Sequence, residues 1–79
     1  MSIEERVRRV IADQFSVGVE QVKNDASLKA EFESDSLDIV EITMAMEDEF
    51  GIQIPDDEVI TMDTAQSFID YVRTRGVSA

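Results

Sequence analysis

The segment that most constrains the fold is residues 37–50, which contains no Gly or Pro and has capping residues on both sides. Ser34, Asp35 and Ser36 carry side chains that cap helix N-termini, and Gly51 is the residue type at which helices commonly end. The pattern therefore predicts a central helix of about four turns. In a chain of 79 residues, this helix must supply much of the core.

The region before the central helix predicts one helix followed by a long connection. Ser2 and Glu5 have the spacing of a capping box, and apolar residues at helical intervals follow them, so we expect a helix over Ile3–Phe15. Helical periodicity is then lost over residues 16–35, and so long a connection in a small domain suggests a function. The apolar residues available to anchor it to the core are Val19, Val22, Leu28 and Phe32.

The region after the central helix predicts a short helix and a longer one. Pro55 and the three acidic residues after it favour a helix start, so a short helix is expected to about Thr61. Asp63 or Thr64 caps the last helix, which Gly76 ends, and its inward-facing residues are Ala65, Phe68, Ile69 and Val72.

The fold class follows from these elements, because strand-like alternation is limited to residues 52–54. We predict one all-α domain over residues 1–79. It is a small four-helix bundle, with three main helices, one short helix and a long loop between the first two helices.

The composition disfavours catalysis by this chain, because it contains neither Cys nor His. The thiolate nucleophile, the commonest general base and the commonest transition-metal ligand are therefore missing. A hydrolase that used Ser36 would need a Lys base, and neither Lys23 nor Lys29 forms a Ser-x-x-Lys motif. No EF-hand loop is present either. We predict no enzyme, no catalytic residue and no dedicated metal site.

The charge is strongly acidic and unevenly distributed. Eighteen acidic and seven basic residues give a formal net charge of -11, and no Lys or Arg occurs between Lys29 and Arg73. Nucleic acids and anionic membranes are poor partners for this surface, whereas basic proteins suit it. The charged N-terminal segment is neither a signal sequence nor an anchor, so we expect a cytoplasmic monomer without membrane insertion. A mature organellar protein would look the same.

The central helix carries more apolar surface than a bundle helix needs. One stripe suits the core and consists of Ile39, Ile42, Met46 and Phe50. A second stripe on another face consists of Leu37, Val40 and Met44, and the acidic residues around it are Asp38, Glu41, Glu47 and Asp48. This second stripe either faces a partner protein or packs under the long loop.

Ser36 at the start of this helix has two interpretations. It is the N-cap itself, or Asp35 is the cap and Ser36 lies in the first turn with an exposed hydroxyl group. In the second case the helix N-terminus and its backbone N–H groups would favour a phosphate ester at Ser36.

The sequence around Ser36 resembles the discrete acyl carrier proteins of fatty-acid synthesis. The tetrapeptide Asp-Ser-Leu-Asp at residues 35–38 is the most specific match. The resemblance extends almost from end to end, and its other elements are Ile3-Glu4-Glu5-Arg6-Val7, Val40-Glu41, Met44-Ala45, the acidic residues 47–49, Phe50, Ile54-Pro55-Asp56 and Ile69-Asp70-Tyr71.

The resemblance implies that a transferase attaches 4'-phosphopantetheine from coenzyme A to Ser36. Acyl groups would then travel as thioesters on this arm, and partner enzymes with basic, apolar-lined docking patches would modify them. By the same resemblance, the transferase recognises Asp35 and Asp38, and basic patches of acyl-processing enzymes recognise Glu41, Glu47 and Asp48 together with the apolar residues Leu37, Val40 and Met44. Ordinary solvation is the alternative for any one of these acidic residues, but their distribution on one side favours recognition for the set.

Candidate walls of an acyl cavity are Met46, Ile54 and Met62, although a plain core role is as good an explanation for each. Glu33 departs from the family pattern, which commonly has Gly two residues before the Asp of the motif. We therefore expect a different backbone conformation in this loop. A carrier for polyketide or modified-lipid synthesis is one alternative, and an acidic interaction or divalent-cation module, with weak binding at Asp35/Asp38 or Glu47/Asp48, is another.

Overall fold

The computed structural model describes residues 2–75, and this part of the chain folds into helices without strands. The three main helices are α1 (Ile3–Phe15), α3 (Ser36–Phe50) and α5 (Ala65–Thr74), and the shorter helices are α2 (Leu28–Glu31) and α4 (Asp56–Val59). The predicted all-α bundle is confirmed. The predicted stop at Gly76 lies outside the described residues. No helix within residues 2–75 has the length and apolar character needed to cross a membrane.

The core lies where α1 packs against both α3 and α5. The predicted inward residues of α5 are all buried, and Ile39, Ile42 and Met46 are buried on the inner face of α3. Phe50 is half-buried and packs against the same core. The largest fully buried side chains are Phe68, Ile11, Leu28, Ile42, Met46, Ile69, Val7 and Val72.

Helix caps explain where the main helices begin. The Ser2 hydroxyl accepts a 3.2 Å hydrogen bond from the Glu5 N–H at the start of α1. Thr64 is the N-cap of α5 and forms a capping box with Ser67. Asp63, the alternative cap, instead accepts from the backbone N–H of Lys29 at 3.1 Å, so it holds the start of α2.

The long connection is more ordered than its sequence predicts. It contains a 3₁₀ turn (Val19–Gln21) and α2, and the rings of Phe15 and Phe32 stack with their centroids 4.5 Å apart. Leu28 is buried, as expected. The prediction that Val19 anchors this segment is wrong, because Val19 is 36% exposed while Val22 is in the core.

Two ion pairs join helix surfaces within residues 2–75. Arg6 binds Glu49 at 2.9 Å and also lies over the ring of Phe50. Arg73 of α5 pairs with Glu4 of α1. A hydrogen bond from its own backbone N–H, together with the Arg73 guanidinium, lowers the pKa of Glu4 below its ordinary value. Both pairs join the N-terminal part of α1 to the C-terminal parts of α3 and α5.

Candidate functional site

Asp35 caps the first turn of α3. Its Oδ1 accepts hydrogen bonds from the N–H groups of Leu37 and Asp38 at 3.0 and 3.3 Å, and the Asp38 Oδ2 accepts from the Asp35 N–H at 3.3 Å. The prediction that Asp35 is the cap is confirmed, and the interpretation of Ser36 as the cap is wrong. This capping box completes the helix start without the Ser36 side chain.

Ser36 is consequently the first residue of α3 and is exposed to solvent. Its hydroxyl makes no hydrogen bond to any group within residues 2–75. The expected backbone N–H groups do flank it. However, those of Leu37 and Asp38 are already donated to Asp35, so fewer amide donors are available to a phosphate than the sequence suggested.

A pocket of about 140 Å³ opens beside Ser36. An engineered cavity of about this size is known to hold a benzene-sized molecule. Met62, a predicted cavity residue, lines this pocket, whereas Met46 and Ile54 are buried in the core elsewhere. The pocket is lined by Lys29, Ser36, Ile39, Val40, Val59, Ile60 and Met62.

Three of these lining residues were not anticipated from the sequence, namely Lys29, Val59 and Ile60. Ile60 is 83% exposed and directly follows α4, whose four residues are too few to show an amphipathic pattern. Lys29 lies in α2, which is equally short. Only the tertiary arrangement of α2, α3 and α4 brings these residues next to Ser36.

The second apolar stripe of α3 faces solvent. Leu37 is 63% exposed, Val40 43% and Met44 60%, so the long loop does not cover them. The alternative in which this stripe packs under the loop is therefore wrong. Exposed apolar side chains clustered on one helix face are typical of a surface that binds another molecule.

The acidic residues around this stripe differ in their surroundings. Asp35, Glu41 and Asp48 are exposed, and the Glu41 carboxylate accepts a 2.7 Å hydrogen bond from Gln14. Glu47 is half-buried, and it accepts from the backbone N–H of Ile54 at 2.8 Å. Glu47 thus also holds the segment between α3 and α4.

Glu33 adopts the backbone conformation that its identity argued against. Its φ is +51°, in the left-handed region that Gly occupies readily. The expectation of a different conformation at this position is therefore wrong. A side chain in this region costs roughly 1–2 kcal/mol, so the loop into α3 carries local strain.

Residues 5–72 match the family model described as a phosphopantetheine attachment site. The match covers most of the 79 residues. The chain belongs to this family. Its prosthetic group is 4'-phosphopantetheine, and phosphopantetheine attachment domains are typically non-catalytic carriers of acyl thioesters that interact with acyl-processing enzymes.

The geometry at the start of α3 fits the prosthetic group of the phosphopantetheine attachment family. Attachment requires an accessible primary alcohol, and the Ser36 hydroxyl is exposed and has no hydrogen-bond partner within residues 2–75. The bound group supplies a thiol, which this chain lacks because it has no Cys. Ser36 also lies within the matched residues.

Proposed function

We propose that this chain is a discrete acyl carrier protein of fatty-acid synthesis, that Ser36 carries 4'-phosphopantetheine, and that the chain itself catalyses no reaction. The observation that carries the proposal is the Asp35 capping box, which leaves the Ser36 hydroxyl exposed and unused. During attachment the Ser36 Oγ loses its proton and forms a bond to the phosphorus next to pantetheine, while the pyrophosphate P–O bond of coenzyme A breaks and the nucleotide part leaves. The transferase provides the base for this step.

The outer face of α3 is the proposed docking surface for the transferase and for acyl-processing enzymes. Its apolar residues Leu37, Val40 and Met44 would enter an apolar groove, and Arg or Lys residues around that groove would pair with the carboxylates. These carboxylates are Asp35, Asp38, Glu41, Glu47 and Asp48. Asp48 would be the most available of the five, because each of the other four already accepts a hydrogen bond within residues 2–75.

The pocket beside Ser36 is the proposed entrance for the acyl chain. Transfer of each methylene group from water into an apolar pocket gains roughly 0.8 kcal/mol, which favours folding the acyl chain back against the bundle. Met62 is available at the pocket wall. Met46 and Ile54 would be reached only if the bundle opened, since both are buried and neither lines the pocket.

The resemblance along nearly the whole chain supports a role in fatty-acid synthesis, carried out by a cytoplasmic monomer. A carrier for polyketide or modified-lipid synthesis is the second candidate. Glu33 favours it, because the acyl carrier proteins of fatty-acid synthesis commonly have Gly at this position. A divalent-cation module has less support, since no group of three or more carboxylates within residues 2–75 is arranged to hold a metal ion.

The decisive experiment is intact mass after incubation with coenzyme A and a broad-specificity phosphopantetheinyl transferase. We expect the wild type to gain the mass of one phosphopantetheine group and Ser36→Ala to gain none. Ser34→Ala is the matched control, because this neighbouring hydroxyl donates to the Leu28 carbonyl at 3.2 Å, and it should be loaded normally. No gain in the wild type, or equal gain in Ser36→Ala, would contradict the proposal.

A second experiment separates fatty-acid synthesis from a specialised pathway. The loaded chain is incubated with malonyl donors and the purified elongation enzymes of fatty-acid synthesis, and its mass is followed over time. Successive additions of two-carbon units are expected. A chain that is loaded but never elongated would favour the specialised carrier.

A further inference from the structure

A phosphodiester at Ser36 would lie in strongly acidic surroundings. Glu33, Asp35 and Asp38 are its neighbours along the chain, and residues 30–72 contain no Lys or Arg. Like charges at this spacing repel one another unless a cation is near. A cation that pairs with this phosphodiester is required only if the proposed attachment at Ser36 is correct.

The helix N-terminus provides less compensation than usual. Anions at such positions are normally stabilised by backbone N–H groups of the first turn. In α3 the N–H groups of Leu37 and Asp38 both donate to the Asp35 carboxylate. Asp35 therefore already occupies the position that an anion would take at this helix end.

Lys29 is the basic residue placed to provide the missing positive charge. Lys29 lines the same pocket as Ser36, and its backbone N–H donates to the Asp63 Oδ1 at 3.1 Å, which holds the start of α2. The two ion pairs found within residues 2–75 do not involve Lys29. Its ammonium group is thus exposed and uncommitted in the part of the chain that the structure describes.

We infer that the Lys29 ammonium group is the cationic partner of the prosthetic-group phosphodiester. Hydrogen bonds between ionised groups are shorter and stronger than those between neutral ones, so this contact would hold the first atoms of the arm on the α2 side of the pocket. Lys29 is a positioning residue in this role and takes no part in bond formation.

The test compares the ³¹P NMR spectra of the loaded wild type, Lys29→Gln and Lys23→Gln. Lys23→Gln is the matched control, because it removes the same charge from an exposed lysine that does not line the pocket. We expect the phosphodiester resonance to move in Lys29→Gln and to coincide with the wild type in Lys23→Gln. In 1 M salt, where the screening length falls to about 3 Å, the wild-type resonance should move toward that of Lys29→Gln.

Thermal unfolding provides an independent measurement. Lys29→Gln should lower the Tm more in the loaded form than in the unloaded form, by up to about 8 °C, because an exposed ion pair contributes at most about 1 kcal/mol. Lys23→Gln should lower it equally in both forms.

The outcomes distinguish this inference from the proposed function. If mass spectrometry shows complete loading while the resonances of the wild type and Lys29→Gln coincide, or both glutamine variants shift equally, the Lys29 contact is excluded and the attachment at Ser36 stands. If no variant gains mass or a phosphorus signal, the proposed function fails, and the inference fails with it.

Discussion

The two faces of α3 have similar side chains but opposite surroundings. Ile39, Ile42 and Met46 on the inner face are at most 3% exposed, whereas the outer face leaves Leu37 and Met44 at least 60% exposed. Burial of the inner face explains how α3 packs into the bundle. The fold does not require apolar residues on the outer face. The apolar side chains on the outer face are therefore best explained as a surface that contacts a binding partner.

The largest expected effect comes from paired substitutions of two methionines on opposite faces of α3. Met46→Ala should lower the free energy of unfolding by about 2–5 kcal/mol, because it opens a cavity in the core. Met44→Ala should change it by no more than about 0.5 kcal/mol, since the side chain is exposed. Urea denaturation measures both. Equal losses would remove the distinction between the faces.

The next effect concerns docking and uses two valines of similar exposure. Val40→Ala on the outer face should reduce the kcat/KM of the transferase for this chain about fivefold, which corresponds to about 1 kcal/mol of lost contact. Val19→Ala, on the 3₁₀ turn, is the control and should leave kcat/KM unchanged. A docking surface elsewhere would be indicated if Val19→Ala had the larger effect.

A smaller effect is expected at the loop into α3. Glu33→Gly should stabilise the protein by roughly 0.5–1 kcal/mol, because Gly relieves the left-handed strain but loses more entropy on folding. Glu41→Gly, in the middle of α3, should instead destabilise it by at least about 0.5–1 kcal/mol, as Gly does within a helix. Chemical denaturation of the two variants should thus give shifts of opposite sign.

The smallest effect is at Glu4, on the surface where α1 meets α5. Because its folded pKa is lowered, Glu4 adds stability that is fully present above the unfolded pKa of about 4.5 and is lost as pH falls through the folded pKa. The wild type should therefore be more stable than Glu4→Gln at pH 7, and the difference should close in that acidic window. The difference should shrink at pH 7 in an Arg73→Gln background.

The main helices could be predicted because their signals are local. Caps and helical spacing located α1, α3 and α5, and the apolar residues of α3 revealed both of its faces. The conformation of Glu33 could not be predicted, because nothing in a Glu residue indicates a positive φ. The helix α2 was missed for a similar reason, since four residues are too few to establish a period.

The candidate site could be predicted only where it lies within one helix. Ser36 and the outer face of α3 follow from a single periodic segment. The pocket joins residues of α2, α3 and the α4 region, so Lys29 and Ile60 had no sequence signal that linked them to Ser36. Asp63 illustrates the same limit, since its carboxylate serves α2 rather than the helix that it precedes.

The Asp35 capping box also has a consequence for regulation. Because the hydrogen bonds that begin α3 do not involve the Ser36 hydroxyl, the proposed ester at Ser36 would require none of them to break when it forms or is hydrolysed. The helix start is therefore independent of the modification state. The prosthetic group could then be attached and removed repeatedly without refolding of the chain, and partner proteins would contact the same backbone conformation in both states.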